Sequence, residues 1–174
     1  MEGAGDRRVS PLLRSGLIAA IAALVLDQAS KLWLLNVYEL GRRGSVAVTP
    51  FFDLVLAWNT GISYGWFQDT GPVGQAVLLA VKALAVIVLG VWMAKSGTRL
   101  AVVGLGLIIG GAIGNAIDRL AYGAVVDFAL FHVQIGGKTY NWYVFNLADV
   151  AIVAGVAALL YDSLVTPGAA KRPR

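Results

Sequence analysis

Between residues 118 and 149 an otherwise oily chain carries Asp118 in GGAIGNAIDR, Asp127 in VVDF and Asp149 in FNLAD. Ionisable groups at or near bilayer depth are costly, so their default reading is functional. Two carboxylates brought together in a site of low polarity resist both being charged. One keeps a proton while the other stays ionised, the minimum equipment for aspartyl acid/base chemistry. Asn115 and Asp118 lie three apart and share a helix face, and Asn146 and Asp149 repeat that spacing. Residue types alone leave Asp118 and Asp127 as alternative partners for Asp149.

The elements that must position these groups are membrane helices. Of 174 residues 58% are hydrophobic and only 14% charged, with a mean hydropathy of +0.73. A soluble domain has roughly a quarter of its residues charged. The absence of cysteine excludes disulfides, a thiol nucleophile and thiolate metal sites. The single histidine, His132, argues against a multi-histidine zinc centre and reads as an interfacial residue. No cofactor or metal is expected. The net charge of +4 reads as membrane orientation, and no aromatic-interleaved basic groove suggests nucleic acid.

Four stretches reach the roughly 20 residues that cross a hydrocarbon core. They are about Gly16–Leu35, Gln75–Ala94, Leu100–Asp118 and Tyr143–Leu164. The fold expected is an all-α membrane bundle of four transmembrane helices with a small β element. Residues 1–15 form an N-terminal segment, 16–165 the membrane domain and 166–174 a basic, disordered tail. Arg7, Arg8, Arg14, Lys95, Arg99, Lys171, Arg172 and Arg174 fall on one side, against Arg42, Arg43, Arg119 and Lys138 on the other. That bias puts both termini in the cytoplasm and the long loops, about 36–74 and 119–142, outside. Arg7-Arg8 before an apolar run resembles a secretory or twin-arginine signal. The run continues through Leu32-Trp33-Leu34-Leu35, however, which favours a retained span.

Val46 to Trp58 suggests one or two strands, and Asn59-Thr60-Gly61 a turn. Trp58, Trp66, Phe51 and Phe52 suit a headgroup belt. Gly106, Gly110 and Gly114 form GxxxG steps that let another helix approach closely. Asp27 and Lys31, spaced i,i+4 beside Gln28 and Ser30, read as an internal ion pair. Gly136-Gly137-Lys138 reads as a hairpin turn, since phosphate-loop spacing is absent. Ser30 and Ser63 have no base at triad spacing. Lys82, midway along the second span, has no firm account beyond snorkelling. With the third span running outward and the fourth inward, both Asn-x-x-Asp pairs fall near the outer face. Asp127 lies in the loop between them.

In this order the phrases resemble the lipoprotein signal peptidase family, signal peptidase II. They are Asp27-Gln28-Ala29-Ser30-Lys31, Asn59-Thr60-Gly61 with Gly65, Gly110 to Arg119, Val125-Val126-Asp127-Phe128 and Phe145-Asn146-Leu147-Ala148-Asp149. The resemblance spans about residues 16–165. It implies an intramembrane aspartyl endopeptidase of the bacterial inner membrane, with its active site near the outer face. The implied substrates are prolipoproteins with a diacylglyceryl group on the lipobox cysteine, cut on that cysteine's amino side. By the family pattern the catalytic pair is Asp127 and Asp149. Supporting roles attach to Asp27, Asn59, Gly61, Asn115, Asp118, Arg119 and Asn146, and Lys31 belongs with them as the partner of Asp27. The first outer loop matches the family's periplasmic β-cradle, and residues around 119–142 its mobile flap. Ile62-Ser63-Tyr64 departs from the usual alanine-rich stretch, which implies altered packing without loss of chemistry. A monomer working among membrane lipids is expected.

A proton-coupled transporter could also use intramembrane Asp, Lys and Asn residues. Against it, the polar groups cluster at one end rather than tracing a path across. A non-catalytic helical scaffold would leave the extra aspartates without a reason.

Overall fold

The computed structural model describes residues 10–61 and 72–166. The expectations for Arg7, Arg8, Ser63, Gly65, Trp66 and the tail from residue 167 fall outside these. Helix α1 spans Pro11–Asn36, α2 Leu40–Arg43, α3 Pro72–Lys95, α4 Arg99–Tyr122 and α5 Leu147–Val165. Strands β1 (Val46–Thr49) and β2 (Phe52–Asn59) precede α3, while β3 (Val125–Ile135) and β4 (Lys138–Asn141) lie between α4 and α5.

Sequence explains where the helices start. Ser10 caps α1 by accepting from the Leu13 amide at 3.2 Å, and Pro11 takes the first helical position, where a missing N–H does no harm. Thr98 caps α4 through the Ala101 amide at 3.1 Å. Helices α1, α4 and α5 are long and apolar enough to cross a membrane. Their surface is inverted relative to a water-soluble bundle. Leu17, Ile18, Ile21 and Val25 are exposed, whereas Asp27, Lys31, Asn115, Asp118 and Arg119 are buried.

Helix α4 is the central post, packed against α1, α3 and α5. Its glycines permit this. A Cβ on Gly106 or Gly110 would run into the backbone of Gly16 or Ala20 on α1, so only glycine allows that approach. One apolar cluster joins Met93, Val102, Leu105 and Ile109 toward the α3–α4 turn. Another, of Leu34, Leu40, Phe128 and Ala129, joins α1 and α2 to the sheet.

The four strands form one antiparallel sheet in the order β1-β2-β3-β4. This corrects two expectations. The sheet draws strands from both long loops, not from the first alone. Asp127 lies inside strand β3, opposite Ala57 of β2, rather than in a loop. The reason is in the residues: Val125 to Ala129 is a continuously buried run, an apolar pattern that suits a strand covered on both faces. Gly136 and Gly137, with φ of 58° and 77°, make the β3–β4 turn anticipated from sequence.

Smaller corrections follow. Helix α5 begins at Leu147 rather than Tyr143, so Asp149 sits in its first turn. Helix α1 begins five residues early, at Pro11, and α4 continues to Tyr122. Phe52 packs against the sheet core instead of joining a headgroup belt, whereas Phe51 and Trp58 are exposed.

Candidate active site

Lys31 on α1 is the hub of a buried cluster. Its Nζ lies 2.8 Å from Asp27 Oδ2 and 2.7 Å from Asp118 Oδ2, and all three side chains are at most 2% exposed. It also donates to Asn115 Oδ1 at 3.2 Å. Gln28 ties the same two carboxylates together, donating to Asp118 Oδ1 at 2.9 Å and Asp27 Oδ2 at 3.2 Å. A buried carboxylate is tolerable only with such partners. The expected Asp27–Lys31 pair is therefore one arm of a larger network.

Each paired carboxylate grips a backbone amide one residue ahead of another aspartate. Asp118 Oδ2 accepts from Val126 N at 3.1 Å, next to Asp127. Asp27 Oδ1 accepts from Ala148 N at 2.9 Å, next to Asp149. These amides lie where strand geometry or the helix's first turn leaves them free to donate.

Asn146 joins the two ends. Its Nδ2 donates to Asp127 Oδ1 at 2.6 Å and to Asn115 Oδ1 at 3.0 Å. Asn115 Nδ2 in turn donates to Asp149 Oδ1 at 3.1 Å. Asn146 is also the N-cap of α5, accepting from Asp149 N at 3.0 Å while Asp149 Oδ2 accepts from Asn146 N at 3.2 Å. This capping box explains the Asn-x-x-Asp spacing there. In α4 the same spacing has a different cause, since Asn115 and Asp118 lie inside the helix and share a face. Just before the cap, Phe145 and Ala129 exchange both backbone hydrogen bonds, at 2.8 and 3.0 Å. The clip holds the Asp149 segment against the Asp127 strand.

The third support comes from the end of β2. Asn59 Nδ2 donates to Asp127 Oδ2 at 3.1 Å, and Asn59 Oδ1 accepts from Gly61 N at 3.1 Å, an Asx turn. Arg119 fixes this turn by donating to Gly61 O at 2.6 Å and more weakly to Asn59 O at 3.5 Å. Arg119 also lies within charge range of Asp127 and Asp118. Its hydrogen bonds go to the turn's carbonyls, because helix α4 delivers it beneath residues 59–61.

Burial pushes the Asp127 carboxyl up to about 6; the charge of Asp149 adds to this, while the amides of Asn59 and Asn146 oppose it. Asp149 is half-buried and opens onto an apolar groove of about 390 Å³. Phe131, Trp142 and Phe145 roof the groove, and Val150, Val153 and Ala157 continue it along α5. A larger cavity of about 600 Å³ lies at the far end of the bundle, between Trp92, Thr98, Leu159 and Thr166. That cavity is remote from the aspartate pair. His132 is also apart from it, with Nε2 3.2 Å from Asp53 Oδ1 on the sheet.

All ten residues singled out from sequence thus converge on one end of the bundle: Asp27, Lys31, Asn59, Gly61, Asn115, Asp118, Arg119, Asp127, Asn146 and Asp149. Sequence reading missed the bridging role of Gln28 and the backbone grips on Val126 and Ala148. Gln28 had a signal, as an amide next to an aspartate in an apolar helix. The two grips had none, since they depend on tertiary contact.

Long apolar helices lie under a small sheet, with charged residues buried where the two meet, an architecture of a membrane protein. Two solved bacterial membrane enzymes have this fold. One, at 2.3 Å resolution, superposes with a TM-score of 0.73 and 25% identity over 92% of this chain and 93% of its own. The other, at 1.9 Å, gives 0.70 at 25% identity, over 87% and 93% respectively.

The chain belongs to the signal peptidase (SPase) II family, whose model matches residues 19–165. It is 74% identical to the lipoprotein signal peptidase of Nitrobacter hamburgensis over 92% of this chain and 98% of that relative. Identity is 71% to the lipoprotein signal peptidase of Rhodopseudomonas palustris, over the same shares. It is 48% to that of Beijerinckia indica, over 91% of this chain and 92% of the relative. Membership makes the chain a multi-pass membrane peptidase of lipoprotein processing.

Proposed function

We propose that this peptidase is an aspartyl endopeptidase in which Asp127 and Asp149 are the catalytic pair. The observation that carries the proposal is Asn146, which donates its side-chain amide to Asp127 and its backbone amide to Asp149. One residue thereby sets both carboxyl groups on the same side of the bundle. Asp27 and Asp118 are unsuited to the role because Lys31 holds both in buried ion pairs.

The pair holds one proton between its two members, since adjacent carboxylates in a poorly hydrated site disfavour two charges. The ionised member takes a proton from water as it attacks the scissile carbonyl. The protonated member donates to the developing oxyanion and later helps protonate the leaving amine. Asn59, Asn115 and Asn146 keep the carboxyl groups oriented while charge moves. No metal takes part.

The substrate is a prolipoprotein whose lipobox cysteine carries a diacylglyceryl group, cut on the amino side of that cysteine. The groove beside Asp149 supports this reading, being apolar along its length and reaching that carboxyl group. Acyl chains in such a groove contribute about 0.8 kcal/mol per buried methylene. Helix α3 is the fourth span, both termini are cytoplasmic, and the pair works near the outer face of the bacterial inner membrane. The enzyme acts as a monomer.

The test is a gel-shift cleavage assay in detergent micelles with diacylglyceryl-modified prolipoprotein. Wild type converts the substrate, while D127N and D149N leave it intact. Conversion by either variant at the wild-type rate removes that aspartate from the pair.

A further inference from the structure

Among the described residues, the mechanism above leaves Lys82 unused. Lys82 is half-buried on α3, whose neighbouring residues Val81, Leu84, Ile87 and Val88 are exposed and apolar. A lysine at that depth is costly and calls for a partner. Helices α3 and α4 are antiparallel and joined by a turn of only three residues, 96–98. Counting from that turn, Lys82 is 13 residues up from Lys95 and Asn115 is 16 up from Arg99. At 1.5 Å per residue its Cα sits roughly one turn below Asn115. Side chains on a helix lean toward its N-terminus, and for α3 that end faces the aspartate pair. The Lys82 ammonium is therefore carried up toward the pair. Electrostatically it feels Arg119, Asp149, Lys31 and Asp118, from α4, α5, α1 and α4 respectively.

The charges around the site make the role specific. Four aspartates, Asp27, Asp118, Asp127 and Asp149, gather here with two cations, Lys31 and Arg119. With one proton shared by Asp127 and Asp149, the four carry three negative charges, one more than Lys31 and Arg119 offset. Lys82 supplies the missing positive charge, so the membrane-embedded cluster is neutral only in the singly protonated state. Without Lys82, neutrality requires a second proton on the pair, which removes the base.

We infer that Lys82 is a positioning residue that holds the aspartate pair in its singly ionised, working form by facing it across the bundle from α3. The inference rests on the assignment of Asp127 and Asp149 as the catalytic pair.

The experiment is the pH dependence of kcat/KM for diacylglyceryl-modified prolipoprotein, measured on wild type, K82M, K82Q and K82R in the same detergent. Loss of the charge in K82M and K82Q should move the acid limb upward by about one pH unit, as removal of a nearby cation does. K82R keeps the charge and should keep the wild-type limb. A limb unmoved in K82M and K82Q overturns the inference. So does loss of activity at every pH in both, or a limb displaced equally in K82R, since each marks a packing role. If wild type itself leaves the substrate intact, the proposed function fails, a different result from an unmoved limb.

Discussion

Asp118 receives the backbone amide of Val126, and Val126 immediately precedes Asp127. A carboxylate held in an ion pair by Lys31 thus fixes the strand carrying a carboxyl group that stays free for chemistry. Asp118→Asn should keep one acceptor for that amide while weakening the Lys31 contact. Cleavage should fall by about 10- to 100-fold without vanishing, whereas loss in Asp127→Asn should be about a thousandfold or more. Rates from the gel-shift assay on purified variants decide it. Equal losses would make Asp118 a member of the pair.

Lys31→Met removes the cation that Asp27 and Asp118 share. Breaking a buried ion pair by deleting one partner costs about 3–5 kcal/mol, because the remaining charges stay buried. The variant should melt well below wild type in detergent. An unchanged melting temperature would mean that the carboxylates find other partners.

Asp127→Asn, although inactive and short of one hydrogen bond, should gain in stability on wild type as pH rises to neutral. The folded-state pKa of Asp127 is raised from 3.8 to about 6. The native state therefore binds more protons than the unfolded chain between those values, and stability falls as pH rises through that window. Above it wild type bears the full cost of a buried charge that asparagine lacks. Melting temperatures at pH 7 and pH 4 test the sign. The variant should stand worse against wild type at the lower value.

Arg119→Lys replaces a fork that spans two carbonyls with a single ammonium. The turn at Asn59–Gly61 loses its clamp, and the Asn59 hydrogen bond to Asp127 loosens with it. Activity should drop about 10-fold while melting changes little. A large loss of stability would instead assign Arg119 to the fold.

Unlipidated precursor should be cleaved far more slowly than the diacylglyceryl form, since its gain from the groove beside Asp149 is missing. Cleavage at equal rates would remove lipid recognition from that groove. Exhaustive chelation should leave the lipidated reaction unchanged.

The aspartate-bearing phrases were legible because ionisable residues stand out against an apolar chain. The GxxxG steps on α4 and the Asp27–Lys31 pair were legible because helix periodicity alone places them. The location of Asp127 was not, for it depends on pairing Ala57 with Asp127 across 70 positions of chain. Its neighbours Val125 and Val126 gave a hydrophobic run that fits a strand or a loop docking on helices equally well. The targets of Arg119 were hidden for a related reason. They are main-chain carbonyls, which every residue has and no sequence pattern marks.

The capping box at Asn146 and Asp149 has a consequence for local unfolding. The atoms that start α5 are the same atoms that orient one of the two proposed acids. Fraying of that first turn, a small fluctuation for an ordinary helix end, would dismantle the reaction centre without disturbing the rest of the bundle. Hydrogen exchange at the Ala148 and Asp149 amides should therefore report the fraction of molecules competent to cleave. Protection there should rise whenever a ligand occupies the centre.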